Sequence, residues 1–194
     1  MISFSNFHRL DPASRDVASE LLASANRHEQ SFFAFIYRWM AFNGWMSAIT
    51  LEYTDRAMID SLAAEPRLIA AHDQMMTSDR EYRHLVDTFA TAWPVLNVRD
   101  VRRKIGHDAF RLHDRPALLA ACAAANVKQQ PIDWLPGQQP NWEQVLRTIY
   151  QVRCNLFHGE KSPQNFRDFK LVEASDRVLQ AFMTKTNCFD WYDL

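Results

Sequence analysis

Between Glu29 and Leu51 the chain places Phe32, Phe33, Phe35, Ile36, Trp39, Met40, Phe42, Trp45, Met46 and Ile49, too many large apolar residues for a single stripe of a surface helix. A helix that is apolar around most of its circumference has to lie at the centre of a bundle or bury a second face against a partner. The rest of the chain reads the same way. Only four of 194 residues are glycine, strand-like alternation is rare, and apolar residues recur at spacings of three and four. The expected fold class is all-α. With 47% hydrophobic residues the chain has enough material for one domain with a proper core.

Helix punctuation is written locally. Asp11-Pro12 pairs an N-cap with a proline suited to the first helical position, and Val17, Leu21, Leu22 and Ala25 follow on one side. Thr54 caps a short helix reaching Glu65, and Pro66 opens the next through His72 and Met76. A further helix from Asp79 stops at Pro94, and Pro116 starts an alanine-rich helix ending near Asn126. Gln129 to Pro140, with three prolines and Gly137, is the clearest loop. The last two helices are expected from Asn141 or Trp142 to His158 and from Gln164 or Asn165 to about Thr184. The aromatic end, Asp190, Trp191 and Tyr192, is expected to pack on the domain or on a second subunit.

Charge narrows the function classes. Twenty-two Lys and Arg nearly cancel 23 Asp and Glu, so no whole-molecule field attracts nucleic acid or an anionic membrane, and any polyanion contact needs a local patch. The main basic cluster is Arg99, Arg102, Arg103, Lys104, Arg111 and Arg115, diluted by Asp100, Asp108 and Asp114. Arg102, Arg103 and Lys104, with Lys161 further on, are the candidate contacts to a nucleic-acid phosphate backbone. Cys122, Cys154 and Cys188 are too few for a disulfide framework or a zinc module, and a reducing cytoplasm is the expected location. No signal segment, membrane span, metal site or cofactor is expected. His8, His28, His72 and His84 have no spacing that recruits partners and read as surface or satisfied structural residues.

The most specific stretch is Arg153-Cys154-Asn155-Leu156-Phe157-His158-Gly159, which puts a permanent cation, an amide and an imidazole at one helix end, with Gly159 suited to the left-handed position that closes it. Arg153 and His158, five apart, sit roughly 140° around an ideal helix, whereas Asn155 and His158 share a face. A single helix therefore spreads arginine and histidine apart. A second copy across a two-fold axis brings equivalent ends together, so the spacing favours a dimer with a composite site.

This Arg-x4-His segment, followed by the helix Arg167-Asp168-Phe169-Lys170-Leu171-Val172-Glu173, resembles the HEPN superfamily, and Phe35-Ile36-Tyr37-Arg38-Trp39-Met40-Ala41-Phe42-Asn43 is similar to the aromatic first core helix of several prokaryotic members. The resemblance implies a single HEPN-like helical domain over residues 1–194, with a core at about 11–52 and 142–184 and a helical insertion at about 54–140. It also implies a homodimer acting as a metal-independent endoribonuclease on RNA, in a toxin, defence or RNA-processing setting, with an antitoxin or accessory protein as a further partner. In that setting Arg153 would hold the scissile phosphate and stabilise its pentavalent transition state, and His158 would move the proton of the 2′-hydroxyl or of the leaving 5′-oxygen. The products would be a 2′,3′-cyclic phosphate and a 5′-hydroxyl. Asn155 would orient phosphate or imidazole.

The position after the arginine, usually Asn, Asp or His in active members, is Cys154 here, a weak hydrogen-bonding group that would support the site less well. The rival reading is a non-catalytic RNA-binding or protein-interaction module. A nucleotidyltransferase substrate-binding subunit is a third, and it would need a separate catalytic chain.

Overall fold

A computed structural model describes residues 2–28, 31–157 and 166–193, without the side chains of Ser31, Phe166 and Arg167. Among the described residues the fold is all-α apart from one two-residue strand pair. In chain order it comprises α1 (Ser5–His8), α2 (Pro12–Arg27), α3 (Ser31–Thr50), α4 (Asp55–Ala63), α5 (Pro66–Ser78), α6 (Arg80–Ala90), β1 (Val95–Leu96), α7 (Val98–Lys104), α8 (Ala109–Leu112), α9 (Arg115–Ala124), β2 (Gln129–Gln130), α10 (Trp142–Phe157), α11 (Phe166–Thr186) and a 3₁₀ turn at Cys188–Asp190.

The caps act as their residue types dictate. Side chains of Asp11, Thr54, Asp79, Asn97 and Asp114 accept backbone N–H groups two or three residues on, satisfying donors that a helix start leaves open. Pro12, Pro66 and Pro116 sit in the first turns of α2, α5 and α9, where a missing N–H costs nothing.

The aromatic helix α3 is central, one of the two placements its composition allows. Phe35, Trp39, Phe42, Trp45, Met46 and Ile49 are fully buried, and α3 packs against α1, α2, α4 and α11. Among the described residues one strip remains uncovered: Phe33 and Met40, seven apart, are about half exposed. The stretch 54–140 has two parts. Residues 55–93 deliver Met58, Ile59, Leu62, Leu68, Met76, Tyr82, Val86 and Phe89 to the same core as α3, α10 and α11. Beyond them, Leu96, Val101, Ala109, Leu118, Cys122 and Val127 form a second, smaller core. The antiparallel pairing of β1 with β2 closes that unit.

His72 is fully buried on α5. Its Nε2 lies 3.0 Å from the Pro140 carbonyl, which can only accept, so Nε2 carries the hydrogen and Nδ1 accepts the Tyr82 hydroxyl at 2.9 Å. That arrangement requires neutral imidazole, and burial pushes its pKa below the usual histidine range, against the opposing pull of the Pro140 contact. The unfolded chain takes up this proton first as pH falls, so the His72 contribution to stability is complete above about pH 6.5 and is lost as pH drops toward the folded value. His72→Phe is therefore expected to flatten the fall in melting temperature between about pH 6.5 and 5 relative to wild type, as read by calorimetry. Parallel curves for the two proteins would exclude His72 from the pH response.

The chain ends are fastened together. The Asp193 carboxylate accepts from Ser3 Oγ at 2.6 Å and Phe4 N at 2.8 Å, Tyr192 stacks on His8 at 3.8 Å, and Arg67 lies over both Phe4 and Trp191. The aromatic tail thus packs back on its own domain.

Candidate functional site

Arg153 lies in the last turns of α10 on the side facing α3 and α4. Its Nη2 is 2.9 Å from Asp55 Oδ2, and the guanidinium carbon sits 4.7 Å from the Phe157 ring centre and 5.8 Å from that of Trp39. Asp55 is itself held by Asn43 Nδ2 at 3.2 Å, so the first turn of α4 and the middle of α3 fix the guanidinium from two directions. The side chain is about one-fifth exposed. Two donors at this spot, Arg153 Nε and Trp39 Nε1, are buried and have no acceptor among the described residues. Such orphans are uncommon, and each carries a desolvation cost of about 1–3 kcal/mol.

Asn155 faces the opposite way, since two residues along a helix turn the side chain by roughly 200°. It is buried, and both amide atoms are hydrogen-bonded. Nδ2 donates to Leu96 O at 2.9 Å, while Oδ1 accepts from Val98 N at 3.3 Å and from Gln151 Nε2 at 3.0 Å. The amide thus completes the free edge of β1 and ties the smaller core to α10. Its surroundings make it a placing residue for the helix end. Asn155→Ala would strand the Val98 N–H and the Leu96 carbonyl, and a loss of about 2–3 kcal/mol is expected in urea denaturation. A loss below about 0.5 kcal/mol would show that water replaces the amide freely.

Cys154 lines a separate cleft between α4, α10 and the β2 loop, with Tyr150, Asn97 and Arg147 around it. The Tyr150 hydroxyl beside it has its pKa pushed up, first by burial and then by the neighbouring Cys154. Cys122 and Cys188 are buried thiols, and burial raises both. His158 and Lys161 lie outside the described residues.

The basic cluster is partly self-paired. Asp100, 5% exposed, accepts Lys128 N at 2.8 Å, Arg103 Nη2 at 2.6 Å and Lys104 Nζ at 3.1 Å. The Lys128 amide contributes most to holding its carboxyl below the usual range. Lys104 also donates to the Asn126 carbonyl and keeps 28% of its side chain exposed, whereas Arg103 keeps 70%. Arg102 lines a cleft on the far side of β1. Since Asn155 of α10 touches β1 while Arg153 faces α3 and α4, the helix stands between Arg153 and the Arg102–Lys104 group. Within one subunit Arg153 and the Arg102–Lys104 group therefore do not converge.

Among the described residues no helix is long and apolar enough to cross a membrane. Compared with known proteins, the chain matches no family model, no curated protein and no solved structure.

Proposed function

We propose that the protein is a homodimeric, metal-independent endoribonuclease of HEPN type, in which Arg153 grips the scissile phosphate and His158 moves the proton. The observation that carries this reading is the setting of Arg153: a guanidinium braced by Asp55, Trp39 and Phe157 at a helix end, with buried donors of Arg153 and Trp39 lacking acceptors among the described residues. A fixed fork beside unspent donors suits an oxyanion, and preorganised donors of this kind stabilise developing charge most effectively. The uncovered α3 strip of Phe33 and Met40, with exposed Phe157 at the end of α10, supports a second copy as the covering partner. Asn155 acts by holding the helix end in place.

In this mechanism the 2′-hydroxyl attacks the adjacent phosphorus while losing its proton to an imidazole, and the 5′-oxygen leaves with a proton returned to it. The bond to the leaving 5′-oxygen breaks as the bond to the 2′-oxygen forms. No water enters that step, which gives a cyclic phosphate and a 5′-hydroxyl, and DNA is not a substrate. The test is incubation of purified protein with single-stranded RNA in EDTA. Cleavage ending in 2′,3′-cyclic phosphate and lost in His158→Ala is expected, and intact RNA in the wild-type reaction would refute the enzyme.

A second reading, a non-catalytic RNA-binding or protein-interaction module, is favoured by the pairing of Arg153 with Asp55 and by the weak hydrogen-bonding group at Cys154. Its signature in the same assay is RNA binding equal in wild type and His158→Ala, with no cut product.

A further inference from the structure

We propose that the cleft between α4, α10 and the β2 loop is a peptide-binding groove, in which an extended segment of a partner protein pairs with the open edge of β2. This site does not rest on the ribonuclease reading above.

The register of the strand pair decides which backbone groups are already used. Asn97 N donates to Lys128 O at 2.8 Å, so Asn97–Lys128 and Val95–Gln130 are the hydrogen-bonded positions and Leu96–Gln129, between them, is not. Leu96 and Gln129 therefore direct their N–H and C=O groups away from each other, onto the two outer edges. On the β1 edge Asn155 closes the row by bonding Leu96 O and Val98 N. On the β2 edge the Gln129 N–H and C=O have no partner among the described residues. A donor and an acceptor of one residue, facing the same way, are the groups that an added strand takes up.

The cleft follows that open edge. Its wall includes residues 126–133 without a break, whereas Val95 and Leu96 line the cleft on the far side of β1. It encloses about 1040 Å³, at the upper end of the range for small-ligand sites. Across from β2, Tyr150 and Cys154 lie one turn apart on α10, both half-buried, with Ile59 of α4 beside them. Ile132, 70% exposed, stands at the rim. Arg56, Lys128 and Arg147 are matched by Asp60, Asp133 and Glu143, and Arg147 already bonds both Asp60 and Glu143.

These groups select a peptide. A nucleic-acid strand gains nothing from charges that cancel, since its affinity comes from neutralised phosphates. An acyl chain leaves both the charges and the backbone pair of Gln129 unused. An extended peptide uses all of them: its main chain continues the sheet, and alternate side chains reach the Tyr150–Cys154 floor.

The measurement is selection of the intact chain on a library of short random peptides with blocked ends, followed by titration of the enriched peptides and amide hydrogen exchange by NMR. Saturable binding is expected, with slowed exchange of the Gln129 amide. Methylating the peptide nitrogens one at a time should weaken binding about tenfold at every second position and little between, the alternation that strand pairing imposes. Gln129→Pro deletes the outward donor and leaves the β1 ladder intact, and a similar loss is expected; the methylation scan decides alone should that variant fail to fold. The proposal is overturned if no peptide binds saturably, if the methylated series shows no alternation, or if folded Gln129→Pro binds as wild type does. A short single-stranded RNA that displaces the peptide would make this a nucleic-acid groove and overturn it as well. So would protection of the Gln129 amide that grows with protein concentration in the absence of peptide, since a second copy would then be the occupant.

Discussion

Arg38→Met is expected to cost the fold about 3–5 kcal/mol, lowering the melting temperature by roughly 10 °C. Arg38 of α3 sits almost wholly buried against Asp176 of α11, with Nε 2.8 Å from Oδ1 and Nη2 3.4 Å from Oδ2, and Nη1 reaches Asn26 of α2 at 3.2 Å. Three helices are therefore tied at one guanidinium. Two opposing influences act on the carboxylate: burial pushes its pKa up, while Arg38 pulls it down, and burial prevails. Removing the cation leaves a buried charge with only the weaker influence of Arg177 to offset its desolvation, so Asp176 takes up a proton at still higher pH. A carboxyl whose folded pKa lies above its unfolded value contributes stability at low pH and loses it as pH rises through that interval. The deficit of Arg38→Met should accordingly be large at pH 7 and shrink toward pH 4. Pairing Arg38→Met with Asp176→Leu should recover most of the loss, because replacing both charges by apolar groups removes the desolvation cost together with the attraction. A single variant within 1 kcal/mol of wild type at pH 7 would mean that water reaches the pair.

The sequence makes some of this legible and hides the rest, for reasons of range. Caps at Asp11, Thr54 and Asp79 act on amides two or three residues away, so residue type alone places the helix starts. The centrality of α3 follows from composition, because no arrangement but burial accommodates Trp39, Phe42 and Trp45 together. By contrast, β1 and β2 are two residues each and 33 positions apart in register from Leu96 to Gln129, too short for any alternation to show. The smaller core and the edge-completing role of Asn155 follow from that same pairing and stay equally hidden. Other signals were present and local. Asp100 stands three and four before Arg103 and Lys104, the spacing of helical ion pairs, which marks part of the basic cluster as internally satisfied. Leu68, Met75 and Met76 flank His72 at four, three and four residues and place it on the buried face of α5. The Arg38–Asp176 pair carries no such sign, since its partners are 138 residues apart.

On the proposed ribonuclease reading, Arg153→Ala is expected to lower RNA cleavage by about 10²–10³-fold, the loss that follows removal of one preorganised donor to a developing oxyanion. The stability cost should be small by comparison. An ion pair whose partners are about one-fifth and one-quarter exposed contributes roughly 1 kcal/mol after solvent screening, so the variant remains folded and the two effects separate. Arg153→Lys keeps the charge but replaces a planar fork, braced over Trp39 and Phe157, with a flexible point charge, and recovery should be partial. Asp55 divides placement from charge. If its carboxylate aims the guanidinium, Asp55→Asn will lower kcat severalfold with KM little changed, whereas simple competition with phosphate predicts a lower KM and an unchanged kcat. A pure binding module shows neither pattern, because neither variant alters a cleavage step that does not occur. Cleavage undiminished in folded Arg153→Ala would remove the guanidinium from the chemistry, and with it the composite site that a second subunit was needed to complete.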